Sequence, residues 1–108
     1  MMAEQKLISV ISIYCGTESE AVSLSQALVD KHLAACCNIS TCASLYKWQG
    51  EMNEDLEWIV SVKTMARAID KVMELIKSEH TYDLPSILID TLATTEEYYN
   101  WVNESVLF

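Results

Sequence analysis

The chain has 108 residues, with 16 acids against 7 bases and a formal net charge of −9. That length accommodates one domain, and that charge repels a phosphate backbone, which excludes nucleic acid as a partner class. Apolar residues make up 51% of the chain, more than a small monomer needs for its core, and the excess reads as a subunit interface.

The opening MMAEQKLISV has no basic segment followed by a long apolar run and a cleavage site. Neither a leader peptide nor a membrane span is expected. The cysteines, Cys15, Cys36, Cys37 and Cys42, include no CxxC pair. Reduced thiols in a cytoplasmic protein are the expectation, and adjacent Cys36 and Cys37 are poor candidates to bond each other.

Lys6–Tyr14 reads as a strand with Ile8 and Val10 on one face and Ile11 and Ile13 on the other. Apolar residues on both faces place it centrally in a sheet. Thr17-Glu18-Ser19-Glu20 fits a capping box, with Thr17 as N-cap and Glu20 reaching back. The helix it opens runs to about Leu33 and carries Ala21, Leu24 and Leu28 on its apolar stripe.

Leu33–Gly50 and Leu56–Lys63 form a long hairpin, with Gly50 and Asn53 marking its turn. Tyr46 and Trp48 are two residues apart and share one strand face. Thr64 caps a second helix from Met65 to about Glu79. Its Ile69, Val72, Met73 and Ile76 recur at amphipathic spacing. The loop His80–Pro85 follows, then a strand over Ser86–Leu92. Thr94 or Thr95 caps a short last helix carrying Tyr98, Trp101 and Val102, and Val106-Leu107-Phe108 is an apolar tail.

The order is β-α-β-β-α-β with an extra C-terminal helix. That is the α+β, ferredoxin-like split βαβ pattern, an antiparallel sheet with two helices on one face. The open face of the sheet needs a cover, and another subunit is the simplest one.

This fold hosts many activities, so function rests on sites. Two glycines in the whole chain rule out a glycine-rich phosphate loop. The best Cys–His pair is Cys15 with His80, each ending an element beside a loop. The bland alternative makes Cys15 a buried small hydrophobe and His80 a helix end. Cys15 and His80, with a hairpin acid such as Glu57, would together offer S, N and O donors, a mixture suited to copper or zinc. Tyr46, Trp48, Tyr82 and Trp101 read as core or interface aromatics, with ligand stacking the alternative. Lys63 reads as a strand-end charge or an ion-pair partner.

Four segments in order, LAACCNI at Leu33–Ile39, SLYKWQG at Ser44–Gly50, VKT at Val62–Thr64 and HTYDLP at His80–Pro85, resemble the CutA divalent-cation tolerance family. Tyr98 and Trp101 match its last helix. The resemblance implies a homotrimer whose hairpins pair across subunit boundaries, similar to PII-like signalling trimers. It implies no enzymatic reaction. It also implies a divalent cation, copper foremost, at Cys15, Glu57 and His80, with Tyr46, Trp48, Lys63, Tyr82 and Trp101 at the interface or cleft. The chain departs from the family pattern at Thr81 and Ser86, where Pro and Glu are usual, and at Gln49. The expected function is metal binding in cation tolerance. The alternatives are a signalling or interaction scaffold with a ligand in the inter-subunit cleft, and a hydrolase or transferase using His80.

Overall fold

The computed structural model describes residues 5–108; the part of the leader expectation resting on residues 1–4 lies outside them. Four strands, β1 (Lys6–Cys15), β2 (Cys36–Trp48), β3 (Glu51–Thr64) and β4 (Ile87–Thr94), form one antiparallel sheet in the order β2-β3-β1-β4. The helices are α1 (Glu18–Asp30), α2 (Ile69–Glu79), entered through a 3-10 turn at Ala66–Ala68, and α3 (Glu96–Ser105). The ferredoxin-like expectation holds, and β1 is central.

Side-chain alternation divides β1 between two cores. Ile11, Ile13 and Cys15 join Val60 and Val62 beneath Ala21, Leu24 and Leu28 of α1 and Val72, Leu75 and Ile76 of α2. Ile8 and Val10 point the other way and pack with Met65, Val102 and Val106. The open face is therefore covered at this end by α3 of the same chain, where another subunit was expected as the simplest cover.

Local chemistry explains where elements begin and end. Thr17 caps α1, its hydroxyl accepting from the Glu20 N–H at 3.1 Å. The reverse half of the expected capping box does not form, because the Glu20 carboxylate is engaged elsewhere. α1 stops at Asp30, short of Leu33. His32 takes φ 58°, and its N–H bonds Val29 O while that of Leu33 bonds Leu28 O, which satisfies the last carbonyls. Thr64 does not cap α2. It ends β3, and its buried hydroxyl donates to Leu33 O at 2.6 Å. Thr95 caps α3, accepting from the Tyr98 N–H at 3.2 Å.

The hairpin turn is tighter than expected. Gln49 and Gly50 both have positive φ, 51° and 80°, as a two-residue I′ turn requires. Asn53 lies within β3, opposite Tyr46. Pairing of β1 with β3 ends at Cys15–Trp58, while β2 and β3 continue paired out to Trp48–Glu51. Beyond Trp58 the sheet is a bare two-stranded arm. The Cα radius of gyration, 15.2 Å, accordingly exceeds the roughly 13 Å of a compact chain this long.

Arg67, which the sequence reading passed over, fastens the C-terminal segment. It donates to the carbonyls of Asn103, Val106 and Phe108 and to the Asn103 side chain. The tail splits: Val106 is buried, whereas Leu107 and Phe108 are exposed. Arg67→Ala should lower stability by about 1–2 kcal/mol, the net worth of several partly exposed hydrogen bonds. Urea denaturation of the two proteins measures it, and an unchanged midpoint would show that the tail is held by Val106 alone.

Candidate metal centre and adjoining groove

Three elements converge where β1 ends. Cys15 is its last residue, and Gly16-Thr17 is the whole connection to α1, so Glu20 in the first helical turn stands close by. α2 runs in the same direction as β1 and delivers His80 to the same end. The Cys15 sulfur, a Glu20 carboxylate oxygen and a His80 ring nitrogen lie within 4.8 Å of one another. Cys15 is fully buried, and the His80 and Glu20 side chains are 1% and 13% exposed.

Each donor has defined neighbours. His80 Nε2 lies 2.7 Å from the Tyr14 carbonyl, and His80 Nδ1 accepts from the Tyr82 N–H at 3.1 Å. A carbonyl only accepts, so the ring carries its proton on Nε2 and a lone pair on Nδ1. Glu20 Oε2 accepts from the Thr81 hydroxyl at 2.7 Å. Glu20 Oε1 is buried, has no hydrogen-bond partner, and sits 3.5 Å from Nδ1. A carboxylate oxygen without a partner thus lies beside a thiol and an imidazole nitrogen whose lone pair the Tyr82 N–H occupies. An orphaned buried carboxylate oxygen is costly, and a cation between these atoms would relieve it. The donor set fits a borderline or soft divalent ion, with S, N and O ligands from three elements.

Burial, then the Glu20 charge, pushes the Cys15 thiol up to about 11. Cys15 therefore keeps its proton at neutral pH. A catalytic cysteine needs the opposite shift, toward thiolate, so the geometry does not favour a nucleophilic Cys–His pair.

Glu57 is outside this cluster. Its carboxylate accepts from the Tyr82 hydroxyl at 3.1 Å, and burial with the Glu57 charge raises that hydroxyl well above its ordinary value. The Tyr82 ring lies over Gly16, where an added Cβ would come within 3.0 Å of Tyr82 Oη. Glu57 and Tyr82 form one wall of a groove of about 600 Å³, whose lining also includes Tyr14, Ser44, Tyr46 and Trp48. Tyr46 donates from its hydroxyl to Asp55.

Of the residues expected at a cleft, Tyr46, Trp48 and Tyr82 come together here. Lys63 does not join them: it donates to Asn38 across the β2–β3 pairing. Trp101, on α3, is half exposed and packs on Tyr98 with ring centroids 5.6 Å apart. Glu20 was legible only as a helix cap. The acid is three residues after an N-cap threonine in either role, and nothing local says that its carboxylate turns away. The four cysteines are unpaired. Cys37 packs against the main core, and burial lifts its thiol to about 11.

Gly16→Ala should push the Tyr82 ring off its seat and cost about 1–3 kcal/mol, as overpacking typically does. Thermal and urea unfolding check the cost. Unchanged stability would show that the ring gives way freely.

A ferredoxin-like α+β fold with a projecting hairpin arm and a buried thiol–carboxylate–imidazole cluster is the class that this geometry defines. The sequence model of the CutA1 divalent ion tolerance protein family matches residues 9–105, and the chain belongs to that family. The divalent-cation tolerance protein CutA of Thermus thermophilus is 39% identical over 98 residues, which cover 89% of this chain and 95% of that protein. CutA from Synechococcus elongatus superposes with a TM-score of 0.91 at 33% identity, covering 97% of this chain and 95% of that one. The periplasmic divalent cation tolerance protein CutA of Archaeoglobus fulgidus gives 0.89 at 29% identity, covering 93% and 99%.

Proposed function

We propose that this chain acts in divalent-cation tolerance as a non-catalytic homotrimer. It binds a divalent cation through Cys15, Glu20 and His80. The observation that carries the reading is the buried, unpartnered Glu20 Oε1, 3.5 Å from His80 Nδ1. Copper is the favoured ion, because S and N donors suit it and it heads the affinity order for such ligands. Glu57, the acid first expected in the set, is an outer neighbour that joins only if Tyr82 releases it.

The trimer is supported by the arm. Leu45, Met52 and Leu56 are 67%, 66% and 58% exposed on a ribbon with no third strand. A two-stranded ribbon bearing such side chains needs a partner, and a second copy of the chain offers the matching surface. Four free cysteines fit a reducing, cytoplasmic setting; no described helix is long and apolar enough to cross a membrane. A second reading, a signalling scaffold, has the aromatic and acidic groove in its favour.

Light scattering at micromolar concentration should report about three times the chain mass of 12.2 kDa, and Trp48→Ala should shift the mass toward monomer. A monomeric parent would remove the trimer. Calorimetric titration with Cu²⁺ and Zn²⁺ should show binding that is lost or severely weakened in Cys15→Ser, Glu20→Gln and His80→Ala. If the parent takes up no ion, the groove scaffold becomes the function.

Acid should weaken binding. The thiol titrates near 11, so across the neutral range the ion must displace its proton. Affinity through this one group then falls about tenfold for each pH unit lowered. Titrations at pH 6, 7 and 8 read that slope, and a flat profile would remove Cys15 from the ligand set.

A further inference from the structure

His80 has one nitrogen to offer an ion, and that nitrogen is already in use. Its Nε2 donates to the Tyr14 carbonyl at 2.7 Å, and the Tyr14 N–H is itself bonded to Ser86 O at 3.2 Å, so the ring is anchored at the β1–β4 corner. Its Nδ1 has a single in-plane lone pair, which accepts the Tyr82 N–H at 3.1 Å. One lone pair cannot hold a hydrogen bond and a metal bond together.

The same residue reaches the groove with its other end. The Tyr82 hydroxyl donates to Glu57 at 3.1 Å, its ring lies over Gly16, and it leans on the His80 ring with centroids 4.9 Å apart and planes at 57°. Residue 81 is held separately, through its hydroxyl on Glu20. Backbone amide and side-chain hydroxyl of one residue are thus held at two sites, on a loop without regular secondary structure from His80 to Ser86.

We infer that Tyr82 is the gate of the cation site, a positioning residue whose amide occupies the His80 Nδ1 lone pair and whose hydroxyl ties that amide to Glu57 in the groove. This rests on the cation site proposed above. An ion on His80 Nδ1 must evict the Tyr82 N–H. Eviction moves the ring, loosens the bond to Glu57 and reshapes the groove wall. The coupling is reciprocal: whatever holds Tyr82 on Glu57 opposes the ion, and whatever draws Glu57 away favours it. Cation occupancy is thereby reported at the surface beside the arm, where Tyr46 and Trp48 stand.

The test uses Zn²⁺, which is redox-inert and diamagnetic, with the full chain and its Tyr82→Phe variant. The variant keeps amide and ring and removes only the hydroxyl tether. Losing a charge-assisted hydrogen bond that opposes binding should raise Zn²⁺ affinity about tenfold. A merely structural role for Tyr82 predicts the reverse, weaker binding. In the parent, Zn²⁺ saturation should shift the His80 Nδ1 resonance and strip the Tyr82 amide of its protection from hydrogen exchange. That second readout serves even if Tyr82→Phe folds poorly. Zn²⁺ bound to His80 with the Tyr82 amide still protected, or bound no more tightly by a well-folded Tyr82→Phe, would overturn the gate and leave the cation site standing. No Zn²⁺ bound by the parent would overturn the gate, and no Cu²⁺ bound either would overturn the cation site with it.

Discussion

The hydrogen bond from His80 Nε2 to the Tyr14 carbonyl is the contact on which the site depends. It pins the C-terminal end of α2 to the end of β1, and it is made inside the fold, where a lost partner is costly. It also fixes the ring's tautomer, and so decides which nitrogen faces Glu20 and Cys15. Cores on either side of β1 hold that strand rigid, with Ile11 and Ile13 packed under α1 and α2 and Ile8 and Val10 under α3. The donors therefore sit on strand end, helix start and helix end, elements that packing positions more precisely than free loops.

A second constraint follows from where pairing stops. β1 ends at Cys15 because the chain turns there into α1, and β3 loses its neighbour at Trp58. The same termination that places the thiol creates the unpaired arm. Site and arm are consequences of one strand length, and the groove lies between them. The proposed cation site and the proposed assembly surface are therefore neighbours at one corner of the molecule.

Much of this was legible in the chain. The two-faced strand Ile8–Ile13, the amphipathic spacing of Ile69, Val72, Met73 and Ile76, and the threonine caps at 17 and 95 are local signals, and local signals gave the element order. Cys15 and His80 were legible as a pair because each ends an element. What failed was long-range or conformational. Thr64 has the look of a helix cap, but its hydroxyl found Leu33 O across 31 positions. Asn53 has the look of a turn residue, but Gly50 already supplied the positive φ that a tight turn needs. The acid of the cluster was placed on the hairpin, whereas the fold brings Glu20 to it. No spacing rule reports which way a first-turn glutamate points.

Thr81 shows how a departure from a family pattern becomes part of the site. Proline at this position could not donate a hydrogen bond from its side chain. Threonine does, to Glu20 Oε2, and it does so on the carboxylate oxygen that does not face His80. That bond fixes the rotation of the carboxylate and leaves Oε1 without a hydrogen-bond partner. Thr17 contributes from the other side: its hydroxyl accepts from the Glu20 N–H, which caps α1 and sets the acid in the first helical turn. The acid then stands at a helix N-terminus, where negative charge is favoured, with its carboxylate turned to Thr81. Two threonine hydroxyls thus hold one residue, one bonding its backbone N–H and the other aiming its side chain. The orphaned oxygen at the centre of the cluster is the result of both.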